Sequence, residues 1–116
     1  MTNRSKQKGT AFETLIKDYL QQRWNPDIER LTLSGSKDRG DIGGFRVNGK
    51  LLTWELKNCS AISLATWIKE AQEEAKNYGA IAGVTCFKRK GKAQAGDQYV
   101  CMTLDDFLTI LDAAKE

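Results

Sequence analysis

The sequence predicts an α/β (α+β) fold in which helices flank a mixed β-sheet of about five strands. Two amphipathic helical stretches, residues 10–24 and 64–78, alternate with short apolar segments that have the spacing of strands. Asn48-Gly49, the dipeptide most typical of a tight hairpin turn, separates two of these segments. With 116 residues, 41% of them hydrophobic, the chain has room for one core, and we expect a single domain spanning 1–116.

The first half of the chain predicts a helix, a strand and a hairpin. In residues 10–24 apolar side chains recur every three or four positions, and Asn25-Pro26 ends the helix. Residues 28–33 alternate as in a half-buried strand, and the glycine- and serine-rich segment 34–40 predicts a loop. The two strands of the hairpin are expected at 41–47 and 51–57.

The second half predicts a helix, two strands and a closing helix. These elements are expected at 64–78, 80–87, 98–103 and from Leu104 to Leu111. Ser63 is placed to cap the first of the two helices and Gly79 to end it. Thr103 and Asp106 have the spacing of a cap for the closing helix. The complete order is α-β-β-β-α-β-β-α, which implies a mixed sheet flanked by helices.

The amino-acid composition excludes several classes of function. The chain has no histidine, which excludes Ser-His-Asp hydrolysis, Cys-His proteases, histidine-containing zinc sites and histidine-based nucleases. Hydrolytic chemistry would therefore rest on carboxylates, lysines and a hard metal ion. Three widely spaced cysteines in apolar segments indicate reduced core thiols. No apolar run approaches the roughly 18 residues of a membrane span, and the amino terminus lacks a signal-peptide stretch, so we expect a cytoplasmic location.

Positive charge is concentrated in two clusters. The net charge is +3, but outside the clusters 11 basic residues stand against 15 acidic ones. The clusters are Arg4, Lys6 and Lys8 in one segment and Lys88, Arg89, Lys90 and Lys92 in the other. Binding to a phosphate backbone requires clusters of this kind, although solvated basic loops have the same composition.

One strand of the hairpin carries an acid and a base within an apolar run. Because side chains alternate along a strand, Glu55 and Lys57 share one face while Trp54 and Leu56 point to the other. An exposed edge-strand ion pair is the alternative interpretation, and such a pair contributes under about 1 kcal/mol. The apolar neighbours favour a central strand and hence a functional role for the two charged residues.

The position of Asp41 depends on the register of the hairpin. With a two-residue turn, Asp41 lies opposite Leu56, on the wrong face. A β-bulge at Gly43-Gly44 would set Asp41 opposite Glu55, and a three-residue turn would set it opposite Lys57. Either device brings the three charged side chains to one face, and the pair of glycines favours the bulge.

Two carboxylates about one strand spacing apart repel each other unless a cation lies between them. Mg²⁺ favours one or two carboxylates together with waters and substrate phosphate oxygens. Asp41, Glu55 and the main-chain carbonyl of Leu56 would supply such a partial shell, in which Mn²⁺ is expected to substitute for Mg²⁺. Lys57 beside this ion would act either as a general base or as a stabiliser of charge, and the sequence leaves both roles open.

These motifs resemble those of a known group of nucleases. "GD", ending at Asp41, followed by "WELK", ending at Lys57, is similar to the D…(D/E)xK signature of the PD-(D/E)xK nuclease superfamily, without the proline that often precedes its aspartate. "KGTAFE", ending at Glu13, followed by "SGSKDRGDI" and "ELKN", resembles the small archaeal-type Holliday-junction resolvases in order and spacing. The resemblance extends from Lys8 to about Tyr99.

The resemblance implies a restriction-endonuclease-like fold and assigns roles to individual residues. Glu13 would complete the metal site, Asp41 and Glu55 would be the principal ligands, and Lys57 would be the catalytic lysine. A loop serine, Ser34 or Ser36, would approach the scissile phosphate. Glu13 lies beside the apolar stripe of the first helix, so the alternative interpretation is that Glu13 is a solvated surface residue.

The function implied by this resemblance is Mg²⁺-dependent cleavage of branched DNA, most of all of four-way junctions. Because one junction needs two coordinated nicks, we expect a two-fold homodimer, with helix 63–78 and the last strand as candidate interfaces. Trp67 of this helix is expected to be a core residue or a subunit contact rather than a platform for base stacking. The expected contacts to backbone phosphates are Arg4, Lys6, Lys8, Lys37, Arg39, Lys88, Arg89, Lys90 and Lys92. The alternatives are another nuclease of the superfamily, such as a restriction enzyme or repair nickase, and a non-catalytic DNA-binding module of the same fold.

Overall fold

The structure, a computed structural model, describes residues 3–32 and 35–115, with side chains from residue 6 onward. Across these residues a six-stranded mixed sheet is flanked by three α-helices, which confirms the predicted α+β class. The order differs from the prediction by one strand, since four strands rather than three lie between the first two helices. The helices are α1 (Asn3–Arg23), α2 (Leu64–Tyr78) and α3 (Leu104–Ala114). The strands are β1 (Glu29–Arg30), β2 (Ile42–Gly43), β3 (Arg46–Val47), β4 (Lys50–Lys57), β5 (Ala82–Phe87) and β6 (Tyr99–Cys101).

The sheet has the order β1-β2-β4-β5-β6, with β3 also pairing with β4. The central β4 and β5 run parallel, and the other pairs are antiparallel. Three strands are shorter than predicted, since the segments at 28–33, 80–87 and 98–103 form ladder pairs only over the bounds of β1, β5 and β6. The predicted strand at 41–47 is divided into β2 and β3.

A β-bulge divides β2 from β3 and confirms the predicted register. Val47 pairs with Lys50, whereas Ile42 pairs with Trp54, so the chain from β2 to β3 contains one more residue than the facing part of β4. Gly44 lies in this interval with a φ of 79°, and its N–H donates to the Tyr78 hydroxyl of α2 at 3.2 Å. The positive φ values of the Asn48-Gly49 turn, 51° and 81°, are those of a two-residue hairpin turn, which excludes the three-residue alternative.

The two faces of β4 and β5 pack against different helices. Trp54, Leu56 and Val84 belong to the main core with residues of α1 and with Ala113 of α3. On the opposite face, the Trp67 ring of α2 lies 5.4 Å from that of Phe87. The main core, which contains Trp54 and Leu56, also includes the buried residues Phe12, Ile16, Leu20, Ile28, Ile42, Phe45, Val47, Leu52, Ala82 and Cys86. Glu55 and Lys57 therefore lie on the α2 face, because they alternate with Trp54 and Leu56.

The approach of α2 to the sheet is close. A Cβ at Gly83 would overlap the main-chain carbonyl of Ala71, so only glycine permits this helix–strand distance. Trp67 is 5% exposed and is a core residue, so of its two predicted roles, core residue and subunit contact, the structure shows the first. Gly79 ends α2 with a left-handed φ of 71°, as predicted, while the Ser63 side chain makes no capping hydrogen bond. Thr103 does cap α3 by accepting from the Asp106 N–H.

The three cysteines are free thiols, of which Cys86 is buried. Cys59 is exposed, which corrects the prediction that all three are core residues, because the chain leaves β4 two positions earlier. No helix in the described part of the chain is both long enough and apolar enough to cross a membrane.

Candidate metal centre and basic cleft

Asp41 and Glu55 meet where β2 adjoins β4. Continuing the Ile42–Trp54 register by one residue sets Asp41 opposite Glu55, and the Asp41 N–H donates to the Trp54 carbonyl at 2.8 Å. The Leu56 N–H donates to Asp41 Oδ2 at 2.7 Å and so fixes the direction of the carboxyl group. The two carboxyl groups lie within hydrogen-bonding reach of each other, so a proton on either one can join them. The bulge thus brings Asp41 to the face that carries Glu55.

Gly40, which precedes Asp41, is required by this close approach of strands. Its φ is 98°, and a Cβ there would lie 2.9 Å from both the Thr53 methyl group and the Trp54 carbonyl oxygen. Any other residue at this position would push Asp41 away from β4. Glycine at position 40 therefore has a steric reason in this chain.

Two further acids extend the pair. Glu74 of α2 lies within hydrogen-bonding reach of Glu55, and ligand oxygens of Asp38, Glu55 and Glu74 lie within 4.8 Å of one another. Glu55 and Glu74 are only 7% and 5% exposed, whereas Asp38 is exposed. The loop position of Asp38 is held by two hydrogen bonds, from the Gly40 N–H to its Oδ1 and from the Asn77 side chain to its carbonyl.

This group has the chemistry of a site for a hard divalent cation. All of its donor atoms are carboxylate oxygens, which suit Mg²⁺, Ca²⁺ or Mn²⁺ rather than softer metals. Glu74 Oε1 is buried and has no hydrogen-bond partner, so it is free to coordinate an ion. Asp38, Glu55 and Glu74 could therefore hold a metal ion.

Burial strongly disfavours ionisation of these acids in the absence of a cation. Burial, together with the hydrogen bond and charge of Glu55, raises the pKa of Asp41 to about 8, against the lowering effect of the Leu56 N–H. Burial also raises the pKa of Glu55 to about 8. Burial and the charge of Asp38 raise the pKa of Glu74 to about 7. Near neutral pH the cluster retains protons, which a divalent ion would replace.

Lys57 lies on the same strand face, with its Nζ 3.2 Å from Glu70 Oε2 of α2. Burial lowers the pKa of Lys57, but the charges of Glu55 and Glu70 outweigh burial, so the pKa is raised overall. The side chain is therefore an ammonium ion. This state favours the stabilisation of charge over the alternative role as a general base.

The other residues assigned by the resemblance lie in different surroundings. Glu13 forms an ion pair with Arg30 of β1 at 2.7 Å and is not a member of the close acidic group found among the described residues. Its role as a third ligand stays a prediction that would require this ion pair to break. The Leu56 carbonyl also stays a predicted ligand. Ser36 is exposed in the loop before Asp38, and Ser34 lies outside the described residues.

One residue of the first basic cluster, Lys8, shares a cleft with three residues of the second. Lys8 of α1 and Lys88, Arg89 and Lys90 after β5 line a cleft of about 370 Å³ together with Asn58, Cys59 and Ser60. Asn58 donates to the Lys8 carbonyl, and the Lys88 N–H donates to the Lys57 carbonyl at 2.9 Å. The cleft therefore adjoins the end of β4 that carries Lys57.

The remaining predicted DNA contacts are more dispersed. Lys6, Lys37 and Lys92 are exposed, and the Arg39 guanidinium lies 5.7 Å from the centre of the Tyr78 ring. The side chain of Arg4 is not among the side chains that the structure describes.

The basic loop is held by a buried glutamine that the sequence did not indicate. Gln98, 8% exposed, accepts from the Arg89 N–H at 2.6 Å and donates to the carbonyls of Lys92 and Gln94. Arg89 lies 4.2 Å from the centre of the Tyr99 ring. The Gln98 contacts brace the main chain of the loop, and the Tyr99 ring supports the Arg89 side chain.

Asp38 and Glu74 were missed as candidate site residues. A signal for Glu74 was present, because it follows Trp67 and Ala71 at helical spacing and so lies on the buried face of α2. An acid on a face that packs against a sheet is a candidate for function. The position of Asp38 in a polar loop gave no comparable signal.

Comparison with protein-family models, with curated proteins and with solved structures finds no match for this chain. The fold and the site together define an α+β protein with a buried carboxylate cluster beside a lysine and a basic cleft.

Proposed function

We propose that the chain is a Mg²⁺-dependent DNA endonuclease of the restriction-endonuclease-like class that cleaves branched DNA, with four-way junctions as its main substrate. The observation that carries the proposal is the meeting of Asp41 and Glu55 on the strand face that also bears Lys57. The sequence resemblance assigns metal binding and catalysis to these same residues. The basic cleft beside Lys57 gives the phosphate backbone a place to bind.

Each residue has a role that follows from its surroundings. A bound Mg²⁺ would supply a Lewis acid and lower the pKa of a bound water. Asp41 and Glu55 would hold this ion, with Asp41 oriented by the Leu56 N–H. The Lys57 ammonium group would stabilise negative charge that develops on the scissile phosphate. The basic side chains of the cleft would hold the flanking backbone without reading its sequence.

A homodimer is part of this proposal, and its interface is assigned to α3 and β6. β6 is an edge strand, and its Tyr99 and Val100 are 53% and 45% exposed. On α3, Leu104, Phe107, Leu108 and Leu111 are 46% to 71% exposed. Large exposed apolar patches are typical of interaction surfaces, and a second copy would cover both the patch and the strand edge. Two copies would supply the two active sites that a junction requires.

The test is cleavage of a labelled four-way junction and of a linear duplex of matched sequence in Mg²⁺. We expect the junction to be cut in preference to the duplex, and Asp41→Asn to reduce the rate by about 100-fold or more while junction binding persists. Asp18→Asn, at an exposed acid of α1, is the matched control and should cleave as the wild type does. Equal cleavage of both substrates would reject junction selectivity, and binding without cleavage would indicate a non-catalytic module.

A further inference from the structure

An apolar pocket lies between α1 and the sheet, on the face of β4 opposite the acidic cluster. It has a volume of about 130 Å³. Its floor is formed by buried core residues, among them Leu20 of α1, Trp54 of β4 and Cys86 of β5. Its rim contains Tyr19 and Val100, which are 39% and 45% exposed. The pocket can therefore be entered from solvent although its floor belongs to the core.

The floor contains a buried hydrogen-bond donor that the protein leaves unpaired. Trp54 is 9% exposed, and within the described part of the chain its Nε1 has no hydrogen-bond partner. A buried indole N–H usually has a partner, and a donor without one destabilises the fold. Even the half-exposed Trp24 has such a partner, since its Nε1 donates to the Arg46 carbonyl at 3.0 Å. Because an indole N–H can only donate, the missing partner of Trp54 is an acceptor.

The other polar side chains of the floor do not supply this acceptor. The Gln98 amide is engaged, because it accepts from the Arg89 N–H and donates to the carbonyls of Lys92 and Gln94. Burial raises the pKa of Cys86 to about 12, so its thiol stays neutral. A water molecule in the pocket would find few partners besides the indole, because the remaining floor side chains are aliphatic.

The size and polarity of the pocket define the class of ligand that it fits. Apolar cavities of about 150 Å³ hold a benzene ring. This pocket is of similar size and open at its rim, so it fits one ring and lets a substituent extend towards solvent. Among the described residues, none of the side chains that line it is charged at neutral pH. A charged ligand would therefore lose its hydration without compensation.

We propose that this pocket binds a small neutral aromatic molecule that carries a hydrogen-bond acceptor, which Trp54 Nε1 recognises, and that Gln98 links the bound ligand to the basic loop. Gln98 lines the pocket, and its amide braces the main chain of that loop. The site lies on the opposite face of β4 from Glu55, so it does not depend on the proposed function.

The test is nuclear magnetic resonance of the ¹⁵N-labelled full chain with two probes of nearly equal shape, acetophenone and isopropenylbenzene. Only acetophenone has a carbonyl acceptor. It should shift the indole N–H resonance of Trp54 downfield and bind about fivefold more tightly than isopropenylbenzene. The amide resonance of Arg89 should shift with the same dissociation constant, because this N–H is bonded to Gln98.

Two variants and their controls locate the binding. Trp54→Phe keeps an aromatic ring but removes the donor, and should abolish the preference for acetophenone. Trp24→Phe is the matched control outside the pocket and should keep the preference. Cys86→Met fills the floor and should abolish binding of both probes, which keeps the test independent of the folding of Trp54→Phe. Cys59→Met, at an exposed cysteine outside the pocket, should bind both probes as the wild type does.

Three results would contradict the proposal. An unshifted Trp54 indole resonance, or unchanged binding in Cys86→Met, would overturn the site itself. Equal affinity of the wild type for the two probes would overturn recognition through the indole. An unchanged Arg89 resonance in the saturated protein would overturn the link to the basic loop.

Discussion

Raising the pH in the absence of divalent ions is expected to destabilise the fold, and Mg²⁺ is expected to reverse much of this loss. The burial that raises the pKa of Asp41 and Glu55 to about 8, and of Glu74 to about 7, makes these groups hold protons in the folded chain. In the unfolded chain the same groups ionise near pH 4. Between about pH 4 and about pH 8 the folded state therefore binds more protons than the unfolded state.

The sign and size of the effect follow from this difference in bound protons. Stability is greatest below the unfolded-state pKa values and falls as the pH rises through the folded-state values. Glu74, shifted from 4.5 to about 7, accounts for about 3 kcal/mol at about 1.4 kcal/mol per pKa unit. Asp41 and Glu55 lose their protons as a pair and add to this loss. We expect the free energy of unfolding to fall by at least about 3 kcal/mol from about pH 5 to about pH 8.

Urea unfolding followed by tryptophan fluorescence measures this effect, because Trp54 and Trp67 are buried. Curves recorded with a chelator at about pH 5 and about pH 8 should differ in midpoint but not in slope. Mg²⁺ at about 100 times its dissociation constant should restore about 2.7 kcal/mol at the higher pH. Glu74→Gln should make the dependence on pH shallower, whereas Glu73→Gln should leave it unchanged. A chelated wild type whose stability is constant or rises over this range would refute the reasoning.

Three further predictions concern the bulge, the dimer and the basic loop. Gly44→Ala places a side chain at a φ of 79°, so the free energy of unfolding in urea should fall by about 1–3 kcal/mol and most cleavage activity should be lost. Gly9→Ala is the control, because a Cβ there would have no neighbouring atom within 4 Å, and it should change neither quantity. Leu108→Glu puts a charge on the exposed face of α3 and should convert the proposed dimer into a monomer, which halves the molar mass measured by light scattering. A variant with the same molar mass as the wild type would exclude this interface. Gln98→Ala removes the acceptor for the Arg89 N–H and should weaken junction binding about tenfold in fluorescence anisotropy at fixed salt, and unchanged affinity would contradict a positioning role.

The hairpin register was predictable because local sequence determines it. Asn48-Gly49 specifies a two-residue turn, and that turn alone would place Asp41 on the wrong face of the sheet. The glycine pair at 43–44 resolved the conflict, since a bulge needs a residue that tolerates positive φ. Both signals lie within a few residues of the contact that they control. The same locality explains the correct prediction of the Gly79 and Thr103 helix ends.

The rest of the site depends on tertiary contacts that no local pattern encodes. Glu13 was expected among the ligands, but Arg30, which lies 17 residues away in the sequence, engages its carboxylate. Asp38 reaches Glu74 because the loop is tied to Asn77 across 39 residues. For Trp67 the sequence left a core position and a subunit contact open, and the packing of α2 against Phe87 of β5 decides for the core.

A purely structural role for the carboxyl cluster would be expected to leave its buried polar groups satisfied. Protons can join Asp41, Glu55 and Glu74 into a chain, but Glu74 Oε1 remains buried without a partner. Because β4 is paired on both edges and covered by helices on both faces, a small movement of the Glu55 side chain would not bring its carboxyl group into contact with water. A fold that retains such a cluster loses stability near neutral pH unless a cation enters. A cation bound at this position would therefore stabilise the fold, and under the proposed function the same ion would lie beside Lys57 and the basic cleft.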